Sequence, residues 1–166
     1  MLKHLIKIFL VCSVLTAQSI TPVGLDLIKH YESFKSEAYL CPAKVLTIGY
    51  GSTGTHVKAG MRVTELQATL LLKKDVKRFE SHIKNRVSRL LIWNEFDALT
   101  SFTFNVGYRV TKGLQTFVNQ GNTNGVIMKL MQYNKAKVNG VYIILKGLTK
   151  RRISESTLYR DGVLAW

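Results

Sequence analysis

Apolar residues are spaced in three ways along this 166-residue chain, and the spacing divides it. From Ile8 to Ala17 they run nearly unbroken behind Lys3 and Lys7. Thr21-Pro22 followed by Gly24–Tyr31 predicts a short helix, with Thr21 as cap and Pro22 at the first position. Proline suits that place because the first turn leaves its N–H unpaired in any case. Tyr39-Leu40 and Val45–Tyr50 then carry the β-branched and aromatic content of strands, with Pro42 in the turn between them. The glycine-rich run Gly49–Gly54 continues this into a small β-element over residues 39–58.

After residue 60 the helical period takes over. Thr64-Glu65-Leu66-Gln67 has the pattern of a capping box. Leu72, Val76, Phe79, Ile83, Val87 and Leu90 recur at steps of three and four, forming one apolar stripe, with Lys73, Lys74, Lys77 and Arg78 on the other face. Asn94 is expected to cap a helix over Glu95–Val106 that buries Phe96, Leu99 and Phe102. Shorter helices are expected near 113–119, 123–133 and 149–160. Asn139-Gly140, flanked by Val138 and Val141–Ile144, predicts a hairpin. The fold class is α+β: a small β-containing lobe over residues 20–60, joined by a long helix to a helical lobe over 61–166, with a cleft between them.

Composition sharpens this picture. A hydrophobic content of 46% excludes disorder, and a net charge of +14 points to a polyanionic partner. The charge is uneven: residues 20–60 carry four Lys/Arg against three acids, and residues 61–166 carry eighteen against seven. The opening apolar run is too short for the roughly 18–20 residues that span a bilayer. Residues 1–19 therefore read as an export signal, with a cut after Ser19 favoured because Leu15 is poorly placed for one after Ala17. Only Cys12 and Cys41 are present, and Cys12 lies within that signal. Removal of the signal leaves one thiol; its retention leaves a Cys12–Cys41 bridge open in an oxidising compartment. His4, His30, His56 and His82 are scattered without ligand partners, so no metal is expected.

The informative stretch is Tyr31–Gly51. Glu32, Cys41 and Thr47 follow one another at intervals of nine and six where a helix gives way to strand and turn. Taken singly, they read as a solvated acid, a small buried thiol and a strand residue. Taken together, they supply a proton donor and groups able to hold water, the two requirements for breaking a glycosidic bond. With the flanks Ala38-Tyr39, Cys41-Pro42 and Thr47–Gly51, this stretch resembles the phage-type lysozymes, the endolysins that cut peptidoglycan. Their motif is Glu, eight residues, Asp or Cys, five residues, then Thr. The resemblance continues through Phe96–Gly107, Tyr133–Ala136, Val138–Gly140 and Leu145–Arg152.

The resemblance implies a lysozyme-like fold and hydrolysis of the β-1,4 bond between N-acetylmuramic acid and N-acetylglucosamine. Glu32 would give its proton to the leaving oxygen, a role that partial burial favours, and water would attack from the opposite face. Cys41 and Thr47 would hold that water, with Cys41 either a weak acceptor or a minor thiolate. Substrate contacts are implied at Tyr39, Tyr50, Phe104, Asn105, Arg151 and Arg152. The implied partners are bacterial peptidoglycan and the anionic cell envelope, with no cofactor and no specific nucleic acid, and the chain is expected to be a monomer. Certain endolysins of the family are first anchored by their signal and later released; a Cys12–Cys41 disulfide would then act as a lock.

Ser33 and Lys44 stand where the family commonly has glycine, and Ser52 where histidine is common. A lytic transglycosylase, a basic nucleic-acid binder and a non-catalytic cationic antimicrobial protein are the competing readings. No helix-turn-helix, zinc or RNP-type signature supports the nucleic-acid reading.

Overall fold

The computed structural model describes residues 18–108 and 112–166. The export signal and Cys12 fall outside the described residues. Helix α1 spans Pro22–Glu32, followed by an antiparallel sheet of β1 (Lys35–Leu40), β2 (Leu46–Gly49) and β3 (Ser52–Thr53) in that order. Next come α2 (Glu65–Lys84), α3 (Trp93–Val106), α4 (Lys112–Asn119) and α5 (Thr123–Met131). A second antiparallel pair, β4 (Lys135–Val138) and β5 (Val141–Ile144), leads into α6 (Lys146–Asp161). The described chain is thus α+β, and the sheet begins four residues before the first strand expected from sequence.

Local signals decide several boundaries. The capping box closes as expected: Thr64 Oγ1 accepts from the Gln67 N–H at 3.2 Å, and Gln67 Oε1 accepts from the Thr64 N–H at 2.8 Å. Asn139 and Gly140 both adopt positive φ, 49° and 88°, the conformation a tight hairpin requires. Thr21 sits at the N-cap of α1, but its side chain does not cap the helix. Its hydroxyl and N–H, with the Gly24 N–H, all bind the buried carboxylate of Asp97 on α3. A Cβ at Gly24 would lie 2.6 Å from that carboxyl carbon, so only glycine permits this approach.

Two expectations fail. Asn94 is not the cap of α3: Ile92 is, while Asn94 is buried and donates to the Leu158 and Tyr159 carbonyls of α6. The vacant cap is served by Glu95, which accepts from the Ile92 N–H at 3.1 Å. The apolar stripe of α2 also stops early. The helix ends at Lys84 with Asn85 as its C-cap, Val87 still packs on the core, and Leu90 lies 89% exposed in the following loop.

Two clusters form the core. One gathers Leu27, Ile83, Phe96, Leu99, Phe102, Leu114, Val126, Leu130 and Leu158 from the six helices α1 to α6. The other joins Leu25 and Ile28 of α1 to Ile48 of β2, Tyr50, Val57 and Val63, and to Ala68, Leu72 and Val76 of α2. The second cluster crosses residue 60, because the first half of α2 is the floor on which the small sheet rests. Helix α1 contributes to both clusters, which fixes the position of its last residue, Glu32.

Candidate active site

Glu32 ends α1, and its side chain is 24% exposed. Arg151 of α6, only 3% exposed, donates from Nη1 to Glu32 Oε1 at 2.6 Å. The same guanidinium donates from Nε to Glu155 Oε1 at 3.1 Å. Glu155 is fully buried, and Ser101 of α3 donates to the same oxygen at 2.9 Å. Arg152, also fully buried, holds its Nε 2.9 Å from Glu155 Oε2 and donates from Nη2 to Asn105 Oδ1. One buried chain of charge therefore runs from Glu32 through Arg151, Glu155 and Arg152 to Asn105. Burial pushes the Glu155 carboxyl above its ordinary value, and the two guanidiniums oppose that push.

The exposed end of this chain opens into a cavity of about 370 Å³ lined by Tyr31, Glu32, Asn105, Leu145, Gly147, Leu148 and Arg151. A neighbouring cavity of about 330 Å³ shares Asn105 and Leu148 and adds Val106, Tyr133 and Lys135. Together they form a groove that runs from Glu32 toward the β4–β5 hairpin. Glu32 Oε2 faces the backbone of Gly51, where an added Cβ would lie 3.9 Å away. Gly51 has φ +90°, so glycine both allows this turn and leaves room beside the carboxyl.

Cys41 and Thr47 are held by the small sheet. Cys41 closes the β1–β2 turn: its N–H donates to the Val45 carbonyl at 3.0 Å, and its own carbonyl accepts from the Lys44 N–H at 2.8 Å. Thr47 is buried, pairs with Tyr39 across the strands, and donates its hydroxyl to the Val45 carbonyl at 3.0 Å. The Cys41 thiol is free and partly exposed. It is drawn below the ordinary thiol value, first by hydrogen bonding to the Val45 backbone and further by the Ala43 backbone and the Thr47 side chain; desolvation opposes them. Cys41 and Thr47 are thus tied through the Val45 carbonyl, to which the Cys41 N–H and the Thr47 hydroxyl both donate.

Of the substrate contacts expected from sequence, Asn105 and Arg151 line the groove and Tyr39 is exposed on β1. Three do not reach it. Tyr50 is 4% exposed, with its hydroxyl donated to Glu65 at 2.8 Å and its ring among the apolar residues of the second core cluster. Phe104 packs edge-on to Phe79, with ring centroids 5.3 Å apart. Arg152 is spent on Glu155 and Asn105. Sequence reading missed Tyr31, Leu145, Leu148, Tyr133 and Lys135 as groove residues, and Glu155 as the anchor of Arg151. The spacing Arg151-Arg152-x-x-Glu155 held the clue to the last, because residues three and four apart meet on one helix face.

Ser33 has φ 59° and Lys44 φ 58°, so both positions where the resemblance led us to expect glycine have positive φ. Ser52, in place of histidine, is buried with its hydroxyl 3.3 Å from His56 Nε2.

The phage lysozyme family model matches residues 29–155, which include every site residue named above. The endolysin of Acyrthosiphon pisum secondary endosymbiont phage 1 is 36% identical over 145 residues, covering 86% of this chain and 99% of that protein. The SAR-endolysin of Pseudomonas phage phiKMV is 36% identical over 126 residues, covering 75% of this chain and 78% of its own. The chain spans about half the length of the Bacillus phage endolysins that it also matches, 55% in each case. Among solved structures, the endolysin from Escherichia coli O157:H7 phage FAHEc1 superposes with a TM-score of 0.81 at 34% identity, covering 89% of this chain and 97% of that one. With the fold, the groove and the matched residues in agreement, the chain belongs to the phage lysozyme family.

Proposed function

We propose that this protein is an exported endolysin that hydrolyses the β-1,4 bond between N-acetylmuramic acid and N-acetylglucosamine in bacterial peptidoglycan. The observation that carries the reading is Glu32 itself: a largely covered carboxyl at the wall of an open groove, gripped through Oε1 by a buried arginine. With Oε1 committed to Arg151, Oε2 is the oxygen that carries the proton and delivers it to the leaving glycosidic oxygen. The β1–β2 side supplies the water. Thr47 gives its proton to Val45, so its oxygen is left to accept from water, and the Cys41 thiol accepts beside it. Water held there attacks the oxocarbenium-like carbon from the face opposite Glu32.

Substrate runs along the groove past Asn105, Leu148 and Tyr133 to Lys135. Arg152 acts behind the groove, holding Asn105. Residues 1–19 serve export, residues 20–60 the small lobe and residues 61–166 the helical lobe. No helix among the described residues is long and apolar enough to cross a membrane. The test is a turbidity assay on purified peptidoglycan with mass analysis of the fragments. Reducing-end muramic acid is expected, whereas 1,6-anhydro ends would make the protein a lytic transglycosylase.

A further inference from the structure

The β4–β5 hairpin stands out from the helical lobe with both faces uncovered. Its register sets Ala136 opposite Ile143 and Val138 opposite Val141 on one face. Lys135 opposite Ile144 and Lys137 opposite Tyr142 form the other. All of β5 is exposed, Tyr142 at 70%, Val141 at 63% and Ile144 at 62%. An apolar ribbon of this kind in water marks a surface that meets a partner. Charge narrows the choice. No acidic residue occurs between Asp97 and Glu155 in sequence, and Glu155 is buried between two arginines. The exposed lysines Lys135 and Lys137 of the hairpin and Lys146 and Lys150 of the following α6 therefore have no acidic residue on their own segment before the buried Glu155.

We propose that this hairpin inserts into the interfacial zone of an anionic lipid bilayer. A nucleic acid or an anionic wall polymer would satisfy the lysines but leave Val138, Val141 and Ile143 in water. A second copy of the chain would cover the apolar face but leave Lys135 and Lys137, which the register puts on the other face, without counter-charge. An anionic bilayer satisfies both: headgroups take the lysines and the acyl boundary takes the aliphatic side chains. Four residues in each strand span about 13 Å, enough to reach an interfacial depth of roughly 5–10 Å. Tyr142, an amphipathic ring among aliphatics, suits the headgroup level. Lys135 also lines the end of the groove, so docking the hairpin holds the groove close to the membrane surface.

The test uses the full chain with vesicles of phosphatidylglycerol and phosphatidylcholine, and of phosphatidylcholine alone. The protein is expected to sediment with the anionic vesicles and not with the neutral ones. Val141→Asp/Ile143→Asp is expected to weaken that binding about tenfold or more while hydrolysis of soluble wall fragments stays at the parent rate. In a Tyr142→Trp chain, the added emission, read as the difference from the parent, is expected to shift to the blue and be quenched by brominated lipids. Three results would overturn the proposal: no binding to anionic vesicles, a bound protein whose residue-142 indole stays in water, or a dimer in solution that the double substitution dissolves. Loss of hydrolysis in the parent protein would instead overturn the enzymatic reading and leave the vesicle result standing.

Discussion

Glu32 and Cys41 are nine residues apart in sequence, yet opposite means hold them in place. Glu32 depends on tertiary contacts: its partner Arg151 lies 119 residues away, and Arg151 is itself set by Glu155, which Ser101 orients. Cys41 depends on its neighbours: Lys44, Val45 and Thr47 supply the bonds that shape its turn. The carboxyl proposed as proton donor thus sits on a buried ionic network, where removing one member leaves an uncompensated charge. The residues proposed to hold water sit on a short turn that carries backbone strain at Lys44. Errors on the first side should be expensive and cooperative, and on the second side small and local.

The largest expected effect is chemical. Glu32→Gln keeps size and the Arg151 hydrogen bond but removes the transferable proton, so lysis should fall by about 10²–10⁴-fold. Circular dichroism should report an unchanged fold, because Arg151 keeps Glu155. Near-parent lysis by the folded variant would remove the central assignment.

Next is the network behind it. Glu155→Ala leaves Arg151 and Arg152 buried side by side, and urea titration should show a loss of ~3–5 kcal/mol. An unchanged midpoint would mean that the two sides of the groove do not differ as described. On the local side, Cys41→Asp should retain lysis, since a carboxylate also accepts from water, whereas Cys41→Ala should reduce it without shifting the urea midpoint.

Smaller gains should come from relieving strain. Ser33→Gly and Lys44→Gly each replace a side chain at positive φ, and each is expected to raise stability by about 1 kcal/mol. A loss at either position would show that the side chain makes up for its conformation.

The smallest effect is a pH dependence. His82 of α2 borders a void of about 10 Å³ shared with Leu99 and Thr103, and its Nε2 is buried without a hydrogen bond. Burial, with Arg86 nearby, lowers its proton affinity below the ordinary value of 6.5. The fold therefore holds His82 neutral, while the unfolded chain takes up a proton near pH 6.5. Its contribution is intact above that value and is lost as pH falls through 6.5 toward the lowered folded value. His82→Gln should flatten the decline in stability seen on going from pH 7.5 to pH 5. Equal slopes for the two proteins would acquit this histidine.

The sequence by itself determined whatever depends on residues close along the chain. The Thr64–Gln67 box and the Asn139-Gly140 turn were legible, because hydrogen bonds and dihedral limits act over a few residues. Matching to a family named the right segments but could not separate residues that touch the groove from those that support it. Tyr50, Phe104 and Arg152 look no different in sequence from Asn105 and Arg151, and only packing assigned them. Asn94 has the side chain of a cap, but α6 lay close enough to take its amide. Leu90 continued a helical period past Asn85, and a period carries no information about where the chain turns away. The tertiary structure alone decided which charges meet: Arg151 reaches Glu32 only because α1, α3 and α6 pack on one core, and burial makes that meeting strong.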